Sequence, residues 1–349
     1  MNTRLTIALD AMGGDNAPDM VLKGANIARQ RFPQVNFLIF GDAGKIRRQF
    51  KRLKKLQRVC TVRHTDVAVS GTDKPSLALR DGRRSSMRLA IEAVHSGAAA
   101  GIVSAGNTGA FMAMAKVVLK TLSGIDRPAI ATVVPTERGE CVMLDLGANV
   151  RCDAHNLVQF AIMGEVFART VQGLLQPTIG LLNVGEEHLK GHEAVKTASG
   201  ILRETNLPIK FHGFVEGDDI WAGAVDVVVT DGFTGNVAIK TAEGIAHLYS
   251  GLLRSAFKSS MFARLGYLLA RRALHKIRVR LDPRGYNGAM FLGLNGIAVK
   301  SHGGTDAFGF ANAIGVAVDM AVHGFNDKII EEFRRLGEDR ISARKVLVS

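Results

Sequence analysis

Short continuous apolar runs alternate with glycine-rich loops and with stretches of 3.6-residue periodicity along almost the whole chain. Leu5-Thr6-Ile7-Ala8-Leu9 predicts a strand and the run from Asp10 to Pro18 a loop; a helix then begins near Asp19, with Pro18 suited to its first turn. Further strands are expected at residues 35–40, 59–63, 101–103, 130–134, 141–144, 179–182, 209–212 and 225–229. Helices are expected at 76–95, 108–122, 154–174, 192–205, 236–257 and 307–323. Most of the strands lack period-two alternation, as expected when helices cover both faces of a sheet. The order of elements predicts a doubly wound, mainly parallel α/β sheet sandwiched by helices. No linker, low-complexity tract or repeat interrupts it, so residues 1–349 read as one large domain with a helical insertion at about 245–280.

Composition narrows the class. The 349 residues are 47% hydrophobic and 22% charged, enough to bury a large core and too apolar for wholesale disorder. The longest uncharged stretch, 93–115, holds His95, Ser96, Ser104, Asn107, Thr108 and four glycines, so it reads as helix end, strand and loop in a soluble protein. The first ten residues reach Asp10 too soon for a signal peptide. Three cysteines (Cys60, Cys141, Cys152) lack CxxC spacing, which argues against a disulfide framework or zinc cluster and predicts a reducing, cytoplasmic setting.

The net charge of +13 is concentrated in two places. Residues 44–58 carry eight Lys/Arg and no acid; residues 251–285 carry nine Lys/Arg against Asp282 alone, which leaves the remainder of the chain at −3. In the first run Ile46, Phe50, Leu53 and Leu56 form an apolar stripe on a basic helix. In the second, Phe257, Met261, Leu265 and Leu268 recur at helical spacing among Lys258, Arg264, Arg271 and Arg272, while Ser259-Ser260 can cap a second helix. This predicts a protruding helical hairpin with an apolar tip, fit for a dimer contact or for a bilayer interface beside anionic headgroups. With one Trp and three Tyr there is little to stack on bases, so nucleic acid is not an expected partner.

Five glycine-rich loops lead from strand to helix: Asp10–Pro18, Ser104–Gly109, Asn183–Glu187, Thr230–Asn236 and Ser301–Asp306. Glycine admits a ligand close to the backbone, and helix starts attract anions, so a phosphate-like anion is expected where these loops converge on one sheet edge. No GxGxxG follows the first strand, and GxxxxGK[ST] and GxSxG are absent, which argues against dinucleotide, P-loop and serine-hydrolase chemistry. Asp10 and Asp15 flank a Gly-Gly turn and are expected to orient backbone N–H groups, with no metal.

Ile7-Ala8-Leu9-Asp10-Ala11-Met12-Gly13-Gly14-Asp15 with Ala17-Pro18, Ser104–Gly109, Asp145-Leu146-Gly147-Ala148-Asn149, Asn183-Val184-Gly185-Glu186-Glu187, Val227–Asn236 and Ser301-His302-Gly303 resemble, in order, the signature blocks of bacterial phosphate acyltransferases. The resemblance spans residues 5–325. It implies a fold like phosphate acetyltransferase and isocitrate dehydrogenase. The implied reaction moves a fatty acyl group from acyl carrier protein to inorganic phosphate, for phospholipid synthesis. It further implies a homodimer at the membrane periphery, a membrane glycerol-3-phosphate acyltransferase as downstream partner, and no cofactor. Arg151 stands where the family usually has an acid, Gly304 where serine is common and Met290 where proline is usual.

Loop placement and the resemblance together assign Lys190, Asn236 and His302 to catalysis. They assign Asp10, Gly13, Gly14, Asp15, Asn107, Thr108, Asp231, Thr234 and Gly235 to the phosphate and thioester site. Lys258, Met261, Phe262, Arg264, Leu265, Arg271 and Arg272 are expected at the membrane or carrier protein. A dehydrogenase or acetyl-CoA-type acyltransferase on the related fold and a non-catalytic membrane or carrier-protein scaffold are the alternatives. Nicotinamide binding or acyl-CoA turnover would mark the first class, and charge reversal of Arg271 and Arg272, lowering vesicle binding while leaving turnover intact, would separate an anchor from the site.

Overall fold

Eleven apolar segments pair into one sheet: β1 (Thr6–Asp10), β2 (Asn36–Gly41), β3 (Cys60–His64), β4 (Gly101–Ser104), β5 (Ala129–Pro135), β6 (Glu140–Leu144), β7 (Thr178–Leu182), β8 (Lys210–Val215), β9 (Val227–Val229), β10 (Ala289–Leu292) and β11 (Ile297–Lys300). Their order is β3-β2-β1-β4-β11-β10-β5-β6-β9-β7-β8. The structure, a computed structural model, describes residues 4–187, 189–205 and 209–346, with side chains as far as Arg335.

The helices are α1 (Asp19–Arg31), α2 (Ala43–Phe50), α3 (Lys54–Gln57), α4 (Pro75–Asp81), α5 (Ser86–His95), α6 (Thr108–Leu119), α7 (Ala154–Val171), α8 (Glu193–Glu204), α9 (Asp219–Ala222), α10 (Gly232–Lys258), α11 (Met261–Arg280), α12 (Ala307–Val322) and α13 (Phe325–Val346). Helices α1, α7, α8, α12 and α13 cover one sheet face, which carries Ile7, Leu9, Val103 and Val299. Helices α4, α5 and α6 cover the other, where Ala8, Ile102 and Ala298 point. The pleat thus sends alternate residues into two cores, which accounts for the continuous apolar runs.

The sheet reverses direction partway. Strands β1, β2, β3, β4 and β11 run parallel. β10 is antiparallel to both β11 and β5, and β5 is antiparallel to β6. β6, β9, β7 and β8 are parallel to one another and so run against β1. The carboxyl ends of β1, β4 and β11 therefore lie at one edge, and those of β6, β9 and β7 at the opposite edge. The expectation that all five glycine-rich loops converge on one edge is corrected by this reversal.

Other departures are local. The helix expected at 76–95 is two, α4 and α5, separated at Gly82, where a Cβ would stand 2.4 Å from the Ala78 carbonyl, and restarted by Ser85, whose Oγ accepts from Arg88 N. The basic helix breaks at Leu53 into α2 and α3, and Ile46, Phe50 and Leu56 are buried as the stripe requires. β10, β11, α9 and α13 have no counterpart among the expected elements. The hairpin is present as α10 and α11, 27 and 20 residues, or roughly 40 and 30 Å at 1.5 Å per residue. Arg280 fastens its base by donating to the Thr136 and Glu137 carbonyls at 2.7 and 2.8 Å.

Candidate active site

Asp10 ends β1 and is fully buried. Ser86 Oγ, from the first turn of α5, donates to its Oδ1 at 2.6 Å; Ser104 Oγ, at the end of β4, donates to its Oδ2 at 2.7 Å. The Met12 amide adds a third bond at 3.2 Å. Burial pushes the Asp10 carboxyl up, and these bonds pull it partly back. The loops close over it because they lack side chains. A Cβ on Gly13 would stand 2.6 Å from Asp10 Oδ2 and 2.6 Å from the Gly106 nitrogen. Gly14 has φ +100, outside the comfortable range of L-residues. The Asp15 amide then donates to the Gly303 carbonyl at 3.0 Å, which ties the β1 loop to the β11 loop.

Lys300 ends β11 in register with Ser104 of β4. It is 8% exposed, the one buried Lys or Arg among the described residues. Its Nζ donates to the Ser301 carbonyl, and no described carboxylate lies within ion-pair distance of it. Burial lowers its pKa to about 8, against the pull of Asp10 and Asp15. The next residues are held by Asn287, whose Nδ2 donates to Ser301 Oγ and the Gly309 carbonyl while its Oδ1 accepts from His302 N. His302 Nδ1 accepts from Gly304 N at 3.1 Å, so its proton sits on Nε2 and the exposed ring can donate outward.

Helix starts complete this edge. Asn107 caps α6 by accepting from Ala110 N, and its amide donates to the Gly71 and Asp73 carbonyls. Thr108 and Gly109 open the helix at the surface. Asp306 caps α12 through Gly309 N, and Arg284 bridges Asp306 and Asp282. The positive ends of α5, α6 and α12 thus surround the end of β1, β4 and β11.

The opposite edge repeats part of the plan. Asp145 follows β6 and accepts from the Ile130, Ala148 and Asn149 amides and from Asn149 Nδ2. Gly232 and Gly235 press on it: a Cβ on Gly232 would stand 2.7 Å from Asp145 Oδ2. Asp231 caps α10, accepting from the Thr234 amide and hydroxyl, which occupies both side chains locally. A Cβ on Gly147 would stand 3.8 Å from the Asn236 side chain. Lys190 pairs with Glu187 at 2.7 Å, half-exposed.

The structure thus gathers Asp10, Gly13, Gly14, Asp15, Asn107, Thr108 and His302 at the first edge, and Lys190, Asp231, Thr234, Gly235 and Asn236 at the second. Sequence reasoning missed Ser86, Ser104, Asn287 and Lys300. A lysine closing the apolar strand Ile297-Ala298-Val299 was the available signal for the last.

None of the three thiols suits a nucleophile: burial pushes Cys60, Cys141 and Cys152 up to about 12. On the hairpin, Lys258, Arg264 and Leu265 flank the tip, where Met261 and Phe262 are 84% and 87% exposed, whereas Arg271 and Arg272 lie midway along α11. An open cleft of about 1710 Å³ runs between its helices, lined by Tyr249, Leu253, Phe257, Arg264 and Tyr267.

A family model described as "Fatty acid synthesis protein" matches residues 5–328. The chain is 62% identical over 342 residues to a phosphate acyltransferase of Paramagnetospirillum magneticum, covering 98% of this chain and 97% of the relative. It is 66% identical over 336 residues to a phosphate acyltransferase of Rhodospirillum centenum, covering 96% and 95%. Among solved structures, a phosphotransacetylase from Streptococcus pyogenes superposes with TM-score 0.63 at 16% identity, over 92% of this chain and 95% of that one. That likeness is one of fold: the mainly parallel sheet between helices is of the phosphate acetyltransferase-like kind.

Proposed function

The chain belongs to the phosphate acyltransferase family and is an acyltransferase, and we propose that it transfers a fatty acyl group from acyl carrier protein to inorganic phosphate. The observation that carries this reading is the first sheet edge, where glycine loops meet the start of α6, whose Thr108 and Gly109 amides have no intrahelical acceptor, and where no thiol is reactive. Phosphate then attacks directly. An oxygen of hydrogen phosphate adds to the thioester carbonyl carbon, the C–S bond breaks, and the phosphate's proton ends on the thiolate. The products are acyl phosphate and the free carrier thiol.

In this reaction the enzyme holds two substrates in line and stabilises the oxyanion. Thr108 and the α6 start serve the phosphate, and His302, with its outward Nε2–H, donates to the developing oxyanion. Asp10, Gly13, Gly14 and Asp15 shape the floor. Asn236 and Lys190 lie at the second edge, away from this centre, and have no part in the step itself. The exposed apolar faces of α10 and α11 support a homodimer whose basic, apolar tip meets anionic lipid at the membrane periphery, where acyl phosphate passes to a glycerol-3-phosphate acyltransferase.

The test is donor choice. Thiol release is measured from a long-chain acyl carrier protein and from the same acyl group on coenzyme A, with phosphate present. A clear preference for the carrier protein is expected; equal rates, or activity on acyl-CoA alone, would refute the donor assignment. His302→Ala is expected to lower turnover about tenfold, the loss of one polar contact to a reacting group.

A further inference from the structure

We propose that Lys300 is the cation that holds the acceptor phosphate, so that phosphate enters on the α5–α6 face of the sheet at the ends of β1, β4 and β11. The inference rests on the acyl transfer to phosphate proposed above and deepens it by choosing between the two edges.

A buried ammonium is costly unless something compensates it. Lys300 has three N–H donors and spends one on a neutral neighbour, the Ser301 carbonyl. The other two are unused by any described side chain. The carboxylates nearby do not absorb the charge. Asp10 turns its oxygens toward Ser86, Ser104 and the Met12 amide, beneath Gly13 and Gly106, so it moderates the ammonium without reaching it. A mobile anion is the missing partner.

Position agrees. In-register pairing of β1, β4 and β11 sends Asp10, Ser104 and Lys300 to the same face, the one shared by Ala8, Ile102 and Ala298. Helix α6 opens on that face directly after β4. Thr108 and Gly109 are exposed there, with first-turn N–H groups that have no intrahelical acceptor. A phosphate reaching Lys300 would meet these groups as well. Lys190, the lysine that the glycine-loop pattern singles out, is at the other edge, half-exposed and already joined to Glu187.

The same burial gives a pH signature. Lys300 loses its proton near pH 8 in the free enzyme. The groups facing it are Asp10 from β1, Asp15 from the loop that follows and His302 beyond its own strand end. Arg284 and Asp306 at the start of α12 are paired with each other, and Arg88 in α5 is taken up by Glu92. β4, β10 and the first turn of α6 bring no titratable group.

The test compares wild-type enzyme with Lys300→Met and Lys300→Arg in two measurements between pH 6.5 and 9.5. One is the KM for phosphate in thioester cleavage; the other is thermal stabilisation by inorganic phosphate with no acyl donor present. Lys300→Met is expected to raise the phosphate KM about tenfold or more, the loss of one charge-assisted contact, and to abolish stabilisation by phosphate. In the wild type the phosphate KM should climb about tenfold per pH unit above about 8, and Lys300→Arg should remove that climb because arginine stays charged. Should Lys300→Met fail to fold, the climb in Lys300→Arg decides alone. An unchanged phosphate KM and unchanged stabilisation in Lys300→Met would overturn the proposal. So would a raised phosphate KM in Lys190→Met with none in Lys300→Met, which puts phosphate at the opposite edge. If wild-type enzyme cleaves thioester without regard to phosphate, the reaction is refuted, yet loss of phosphate stabilisation in Lys300→Met would still support the site.

Discussion

Gly13→Ala isolates the close approach on which the first sheet edge depends. The φ angle of Gly13 is not in the left-handed region, so alanine adds a methyl group without backbone strain. That methyl would stand 2.6 Å from Asp10 Oδ2, 2.6 Å from the Gly106 nitrogen and 3.0 Å from the Gly106 Cα. Ordinary contact begins nearly 1 Å further out. Neither neighbour yields easily, since one is backbone and the other a carboxylate fixed by two serines. Overpacking of this kind costs about 1–3 kcal/mol. The β1 and β4 loops must therefore separate by several tenths of an ångström, and misplacement approaching 1 Å at a reacting centre costs about 10²-fold in rate. Thermal unfolding and phosphate-dependent thiol release are measured for Gly13→Ala, with Gly71→Ala as the reference because a Cβ there meets nothing within 4 Å. A Tm lower by a few degrees and a large loss of kcat/KM are expected for the first and neither for the second. Wild-type Tm and turnover in Gly13→Ala would refute the reading of these loops as a close-packed cradle.

Arg169 joins Glu165 at 2.9 Å and Glu332 at 2.8 Å, two carboxylates that are themselves buried, so Arg169→Met is expected to cost about 1–3 kcal/mol. Burial already pushes the Glu165 carboxyl up, so its contribution to stability is present below its unfolded value and lost as pH rises through the folded one. Without Arg169 the folded pKa rises further; urea unfolding should show a deficit that widens from pH 5 to pH 8, and a pH-independent deficit would contradict this. Gly200 is exposed within α8 and a Cβ there meets nothing within 4 Å, so Gly200→Ala should stabilise by about 0.5–1 kcal/mol, read as a raised urea midpoint. Phe262→Glu puts a charge at the most exposed apolar side chain of the hairpin tip and should weaken co-sedimentation with anionic vesicles; undiminished binding would remove the tip from the membrane contact.

Much of the fold was legible because its signals are local. The strand β1, its glycine turn and the helix after it follow from Leu5–Leu9, Gly13-Gly14 and Pro18 read in place. The basic runs were likewise visible, and the burial of Ile46, Phe50 and Leu56 under exposed Lys and Arg follows from their spacing alone. What escaped depends on distant partners. β10 and β11 are four residues each, and β10 enters the sheet antiparallel to both its neighbours through Met290, which no local pattern announces; the net reversal comes one strand further on, where β5 pairs antiparallel with β6, Val133 against Val142. That reversal separated the glycine loops into two groups. The side chains of Asn107 and Asp231, read as ligand residues, make local caps to Ala110 N and Thr234 N, a signal that the sequence alone carries. Lys300 escaped because a charge at the end of an apolar strand ordinarily marks the surface. Here Asp10, Ser104 and the α5–α6 face enclose it.

The central claim is met most directly by incubating the purified protein with a long-chain acyl carrier protein and labelled inorganic phosphate. The carrier is followed by intact-protein mass spectrometry and the small-molecule product by its label. The account predicts free carrier protein and labelled acyl phosphate in equal amounts, both dependent on phosphate. Carrier release at the same rate without phosphate, or release with no labelled product, would contradict it.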